Sequence, residues 1–224
     1  MSGIFDIIGP VMIGPSSSHT AGAVRLGLAG RAIIGGQPVR AEIGLHGSFA
    51  QTYRGHGTDL ALVAGLLGMA PDDPRIPQAL ALAPECGLTV RFETVDLGAD
   101  AHPNTVRMRL TAAGGGETTV IGSSIGGGRI IVTRIDQFEV DYSGEYHALI
   151  LSYQDRPGVI AKVTSLLATD EVNIATMRVS REARGSLALM IIEVDQPVSP
   201  EVRAMCGRIP GVGTVISVPP IALG

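Results

Sequence analysis

From His147 to Val218 the apolar residues follow an order of strand-like and helix-like periods that few folds accommodate. His147 to Tyr153 reads as a strand, and the turn Asp155-Arg156-Pro157-Gly158 leads into an amphipathic helix over Val159 to Ala168. Asn173 to Ser180 and Leu187 to Val194 read as strands with a turn at Gly185 between them. Ser199 is placed to cap a short helix over Pro200 to Arg208, and Val212 to Val218 reads as a last strand. The order βαββαβ predicts a split ferredoxin-like unit, with two helices on one face of a four-stranded antiparallel sheet.

The N-terminal part is less regular, because many of the chain's 30 glycines fall there in runs such as Gly35-Gly36, Gly114-Gly115-Gly116 and Gly126-Gly127-Gly128. Helices are expected at Ala21 to Ile34 and Asp59 to Leu67. Strands are expected at Arg40 to Leu45, Thr89 to Thr94, Thr105 to Thr111 and Arg129 to Ile135. Composition shifts near Phe138 to Tyr146, so the expected domains are 1–140, mixed α/β, and 146–220, giving an α+β chain. Apolar residues make up 45% and charged residues 17%, the balance of a folded protein rather than a solvated tail. A net charge of −4 disfavours a nucleic-acid backbone as partner. The sequence shows neither a membrane span nor an export signal, so a cytoplasmic location is expected.

Polar chemistry concentrates in three places. Gly14-Pro15-Ser16-Ser17-Ser18-His19-Thr20-Ala21-Gly22 runs directly into an apolar helix. Small hydroxyls and the free N–H groups of a helix start attract a carboxylate or phosphate, and His19 would stand beside it. The plainer alternative is that Ser18 or Thr20 caps the helix and His19 is a solvated loop residue. Four hydroxyls flank the histidine where a cap needs one. A second cluster, His46-Gly47-Ser48-Phe49-Ala50 followed by Gly55-His56-Gly57-Thr58-Asp59, also leads into an apolar helix. A third, His102-Pro103-Asn104-Thr105, enters a strand. Capping by Asp59 and turn formation by Pro103-Asn104 would account for these two without any ligand. Four of the five histidines nevertheless fall in such segments, which suggests one convergent site.

Two further counts narrow the chemistry. Cys86 and Cys206 are too few and too far apart to form a metal-ligand set. The single lysine, Lys162, is predicted on a surface helix of the second domain, which leaves no active-site amine for a pyridoxal Schiff base.

The stretch Phe5-Asp6-Ile7-Ile8-Gly9-Pro10 through Gly14-Pro15-Ser16-Ser17-Ser18-His19-Thr20-Ala21-Gly22 resembles the signature of the iron-sulfur L-serine dehydratase beta subunit. The likeness continues through Gly47-Ser48-Phe49-Ala50, Gly55-His56-Gly57-Thr58-Asp59, His102-Pro103-Asn104-Thr105 and Ser124-Ile125-Gly126-Gly127-Gly128, nearly the whole chain. The second domain resembles an ACT domain. Asp155, Pro157 and Gly158 stand at the expected strand-to-helix turn, and Asn173-Ile174 at the next strand, as the effector-binding positions this resemblance implies. The match is incomplete in two positions, since relatives often carry a tyrosine where this chain has His46 and a lysine where it has Arg54.

The resemblance implies a lyase that converts L-serine to pyruvate and ammonia. His19 and His56 would serve as acid-base residues, with Ser16, Ser17, Ser18, Thr20, Thr58, Asp59, His102 and Asn104 binding substrate. It implies a four-iron four-sulfur cluster that acts as Lewis acid on the serine hydroxyl. Such a cluster needs about three or four thiolates, so the resemblance places it on a separate alpha subunit and makes the isolated beta chain inactive. Self-association through either domain is also implied. Non-catalytic alternatives are an amino-acid-binding regulatory module, like those attached to some phosphoglycerate dehydrogenases, and a scaffold for the cluster-bearing chain.

Overall fold

A computed structural model describes residues 11–221, so the Phe5 to Pro10 part of the signature lies outside the described residues. The chain divides into two compact units, one running to Asp136 and taking in Ile221, the other Gln137–Pro220.

In the first unit a π-helical turn, Ser17–Ala21, opens directly into α1, Gly22–Ile33. Then come β1 (Arg40–Leu45), α2 (Gly47–His56), α3 (Thr58–Leu66), a 3-10 turn (Ile76–Gln78) and α4 (Ala79–Glu85). Strands β2 (Thr89–Thr94), β3 (Thr105–Thr111), β4 (Glu117–Gly126) and β5 (Arg129–Ile135) complete it. The sheet order is β2-β1-β3-β4-β5. β1 and β2 are parallel, joined by the helical segment, and the other pairings are antiparallel. The helices and strands expected from the sequence are present within a residue at each end.

Two elements escaped the sequence reading. Gly47–His56, whose glycines suggested loop, is the helix α2, and Glu117–Gly126, between two glycine runs, is the strand β4. β4 pairs with β3 over seven residues and with β5 through register shifts, so its ladder rather than its composition holds it extended.

Helices α1 and α3 cross where both lack side chains. A Cβ on Gly65 would stand 2.0 Å from the Val24 carbonyl oxygen, and one on Gly27 would stand 2.3 Å from that of Leu62. This backbone-to-backbone approach locks the middle of α1 against the C-terminal half of α3. α1 turns its other side to the sheet, where Gly30 lies against Met108 and Leu110 of β3.

The second unit contains β6 (Phe138–Tyr142), β7 (His147–Gln154), α5 (Val159–Thr169), β8 (Ile174–Arg181), β9 (Leu187–Val194), α6 (Pro200–Gly207) and β10 (Val212–Val218). The sheet order β10-β7-β9-β8 is antiparallel throughout, as the βαββαβ pattern requires. Val159, Val163 and Leu167 of α5 and Val202 and Cys206 of α6 pack with Leu149, Leu151, Met190 and Ile192 into one core. Ser199 caps α6, its hydroxyl accepting from the Val202 N–H.

Candidate active site

The π turn is set by three interactions. Ser16 is its N-cap, the Oγ accepting from the His19 N–H at 3.2 Å, while its carbonyl accepts from Thr20 N at 2.8 Å. Gly22 N–H then reaches back to the Ser17 carbonyl, giving the wider π spacing. π turns recur at functional positions because the extra residue re-aims a side chain. Here the side chain is His19.

His19 is held on all sides. Ser16 Oγ lies 3.4 Å from Nδ1 and Ser48 Oγ lies 3.2 Å from Nε2, so each ring nitrogen is within reach of a hydroxyl. The His56 ring meets His19 edge-on with centroids 4.8 Å apart, and Phe49 does so at 5.3 Å. Burial, and secondarily the neighbouring His56, lowers the His19 pKa below its ordinary value. Neutral imidazole, the form that can accept a proton, therefore persists to lower pH. Ser16, Ser17, Ser18 and His19 are half-buried, so the turn is not sealed inside the fold.

Glycine at two joints makes this convergence accessible. Gly57, at φ +69°, ends α2 and begins α3 within one residue, which places His56, the last residue of α2, beside the first turn of α3 with Thr58 and Asp59. Gly47, at φ +55°, sits so close to Pro103 that a Cβ would fall 2.7 Å from its carbonyl oxygen. That oxygen accepts from Phe49 N, tying the His102–Thr105 segment to the first turn of α2.

The candidates divide into two groups. The π turn brings Ser16, Ser17, Ser18, His19 and Thr20 together, α2 delivers His56 to His19, and α3 starts beside them with Thr58 and Asp59. Asp59 Oδ1 accepts from the Leu60 N–H in that first turn. His102 is exposed and turned into its own loop, its Nδ1 accepting from Asn104 N at 3.1 Å. Sequence reasoning missed Ser48. Its segment had been singled out, but only recognition of α2 as a helix shows that the residue after Gly47 faces His19. His46, the N-cap residue of α2, accepts from Leu97 N through Nδ1, and Arg54 lies over the Tyr53 ring.

In the second unit the expected effector residues are engaged locally. Asp155 pairs with Arg181 at 2.9 Å and accepts from Gly185 N, bonds that hold its carboxyl below the usual range, the Gly185 amide foremost. Asn173 donates to Asp195 at 2.6 Å, Pro157 and Gly158 form the turn before α5 with Gly158 at φ +86°, and Ile174 packs on the core.

The residues present do not fit an iron-sulfur cluster. Cys86 is exposed after α4 and Cys206 is buried in α6, and among the described residues no three His, Cys, Asp or Glu side chains converge on a metal position. No helix among the described residues is long and apolar enough to cross a membrane.

Comparison with known proteins adds independent findings. Residues 3–86 match the family model described as serine dehydratase beta chain, and residues 147–204 match the ACT domain. A Bacillus subtilis protein named probable L-serine dehydratase, beta chain, is 43% identical over 93% of this chain and 94% of its own length. The L-serine dehydratase beta chain of Peptoniphilus asaccharolyticus is 40% identical over 89% of this chain and 90% of its own. A D-3-phosphoglycerate dehydrogenase of Synechocystis is 29% identical over 74% of this chain, which spans only 30% of that protein. The serine-flanked histidine turn, the helices that meet it and the ACT-type second unit thus occur in a chain that belongs to the serine dehydratase beta chain family.

Proposed function

We propose that this chain is the beta subunit of an L-serine ammonia-lyase, which converts L-serine to pyruvate and ammonia. Its N-terminal portion, 1–140, would bind substrate and carry the acid-base residues, with the ACT domain at 146–220. The observation that carries the proposal is His19, half-buried, its pKa lowered by burial, and gripped by Ser16 and Ser48 in the turn before α1 and beside His56.

The substrate carboxylate is received by the hydroxyls of Ser16, Ser17, Ser18 and Thr20 and by the positive end of the helix they precede. Thr58 and Asp59 at the start of α3, and Asn104, complete the contacts to its polar groups. His102, exposed and held in its own turn, serves the edge of the site. With the carboxylate fixed, His19 removes the proton on the α-carbon, and burial together with His56 beside it disfavours positive charge on His19 and so favours its return to the neutral form. Loss of hydroxide leaves aminoacrylate, which tautomerises to the imine and hydrolyses to pyruvate and ammonia. The four-iron four-sulfur cluster of this enzyme class belongs to a separate alpha subunit, since this chain's two cysteines cannot hold it. In the ACT domain, β8 lies at a sheet edge with Met177 and Val179 exposed, which supports self-association there. Asp155, Pro157, Gly158, Asn173 and Ile174 are the positions at which an effector would bind. The setting is cytoplasmic.

The test is anaerobic purification of this chain alone and with its alpha partner. Pyruvate from L-serine is expected only from the pair, and turnover by the lone chain would sink the shared-site reading. A regulatory reading is favoured by one finding, the partial likeness to phosphoglycerate dehydrogenase. His19→Asn separates the two: loss of turnover with serine binding retained marks catalysis, and intact turnover with altered activation marks regulation.

A further inference from the structure

Among the described residues of the first unit, four polar side-chain atoms are buried without a hydrogen-bond partner: Thr20 Oγ1, His56 Nδ1, Thr58 Oγ1 and Ser124 Oγ. Thr20 belongs to the π turn, and the elements carrying the other three, α2, α3 and β4, all pack against that turn. Folded proteins rarely strand buried polar groups, because each loses its water without compensation. Such exceptions gather where a ligand supplies the missing bond. Three of the four belong to residues the substrate reading already uses. Ser124 does not.

Ser124 is fully buried on β4, directly under the joint between the π turn and α1. A Cβ on Gly22 would stand 2.1 Å from its Oγ and 2.8 Å from its Cβ, so only glycine lets this serine approach the turn. Gly22 N–H is the donor that closes the π spacing on Ser17. The other side of Ser124 faces the third polar segment, its N–H donating to the Asn104 carbonyl at 3.0 Å. Ser124 thus touches two of the three segments assigned to substrate. Alanine would fill the same space without stranding an oxygen, so packing alone gives no reason for a hydroxyl at this position.

We propose that Ser124 is a further substrate-binding residue, whose hydroxyl donates to the carboxylate of the α-amino acid substrate when the π turn shifts on binding. This rests on the reading of the Ser16–Thr20 turn as the carboxylate grip. Gly22 puts no side chain between that turn and Ser124, so backbone alone separates the hydroxyl from the grip.

The experiment compares wild type and Ser124→Ala in two measurements: the melting temperature of this chain, and pyruvate formation from L-serine by the chain assembled with its alpha partner. Removing a stranded hydroxyl should leave the melting temperature equal or higher, while KM for serine rises ten-fold or more and kcat changes little. A lower melting temperature with unchanged KM would make Ser124 a packing residue and overturn the proposal. Should the alanine variant fail to fold, Ser124→Cys keeps the shape with a weak donor, and the same rise in KM is required of it. If the wild-type pair makes no pyruvate, the functional reading itself fails. If the wild type is active and both variants keep its KM, only the role of Ser124 falls.

Discussion

In the second unit the buried carboxylate of Glu193 is met by two hydroxyls, Ser143 donating at 2.9 Å and Thr176 at 2.8 Å, whereas in the first unit the buried hydroxyls of Thr20, Thr58 and Ser124 meet none. Glu193 sits in the middle of a finished sheet, on a strand buried on both faces, and its partners belong to the fold. The three hydroxyls lie in or against the turn whose histidine has its pKa lowered by burial. The helices differ in the same sense. α5 meets its sheet through Val159, Val163 and Leu167, a packing that tolerates small adjustments. α1 meets α3 through Gly27 and Gly65, with carbonyls where side chains would be. The second unit is ordered by a filled core, the first by a close helix crossing beside hydroxyls left without partners.

The largest effect is expected at the helix crossing. Gly65→Val places a side chain where 2.0 Å separates a Cβ from the Val24 carbonyl oxygen, and should cost upward of about 3 kcal/mol by forcing α1 and α3 apart. Chemical denaturation followed by circular dichroism checks it, and a stability near wild type would contradict the crossing. Next comes His19→Asn in the assembled enzyme, expected to lower kcat by about a hundred-fold or more with serine binding retained, measured by turnover and by equilibrium binding.

A third variant probes the finished network. Glu193→Ala strands Ser143 and Thr176 and should cost about 1–3 kcal/mol in stability, while serine turnover per folded molecule stays at the wild-type level. Loss of turnover without loss of stability would mean the second unit is not merely structural at this position.

The pH profile of kcat/KM offers a gentler test. The His19 pKa is lowered, so the active neutral form should survive below 6.5, and activity should fall only as pH drops through that lowered value. His56→Gln removes one of the two causes and leaves burial, so the acidic limb should move up in pH. A limb that stays in place would detach His19 from the profile. The smallest effect is expected from Arg181→Ala, which removes an exposed pair with Asp155 while the Gly185 amide still holds that carboxylate. Its melting curve should overlay the wild type.

The two units were unequally legible. In the second, the nearly unbroken apolar run Leu187 to Val194 and the helical spacing of Val159, Val163 and Leu167 carried the elements, because a short apolar run bounded by turn residues marks a buried strand and the helical spacing marks one buried face. In the first, glycine hid structure. Gly47 and Gly55 bracket α2 and suggested loop, yet Gly47 is needed for the approach to Pro103 and the helix between them is held by Phe49 in the core. β4 was invisible for a related reason, since Gly122 within it lies against Leu26 of α1 where a larger residue would collide. Ser48 and Ser124 stand in motifs visible in the sequence, but what each touches depends on these two elements.

The βαββαβ order of the second unit, the main helices and strands of the first, and the polar segments around His19, His56 and His102 are all legible in the residues alone. Those follow from local periodicity and from residue chemistry, which neighbours along the chain suffice to express. That His56 meets His19 while His102 bonds within its own loop, that Ser48 closes on the imidazole and that Ser124 lies beneath Gly22 came from the folded arrangement alone. Those relations span tens of residues and depend on how closely two backbones can pass, a distance set by packing in three dimensions.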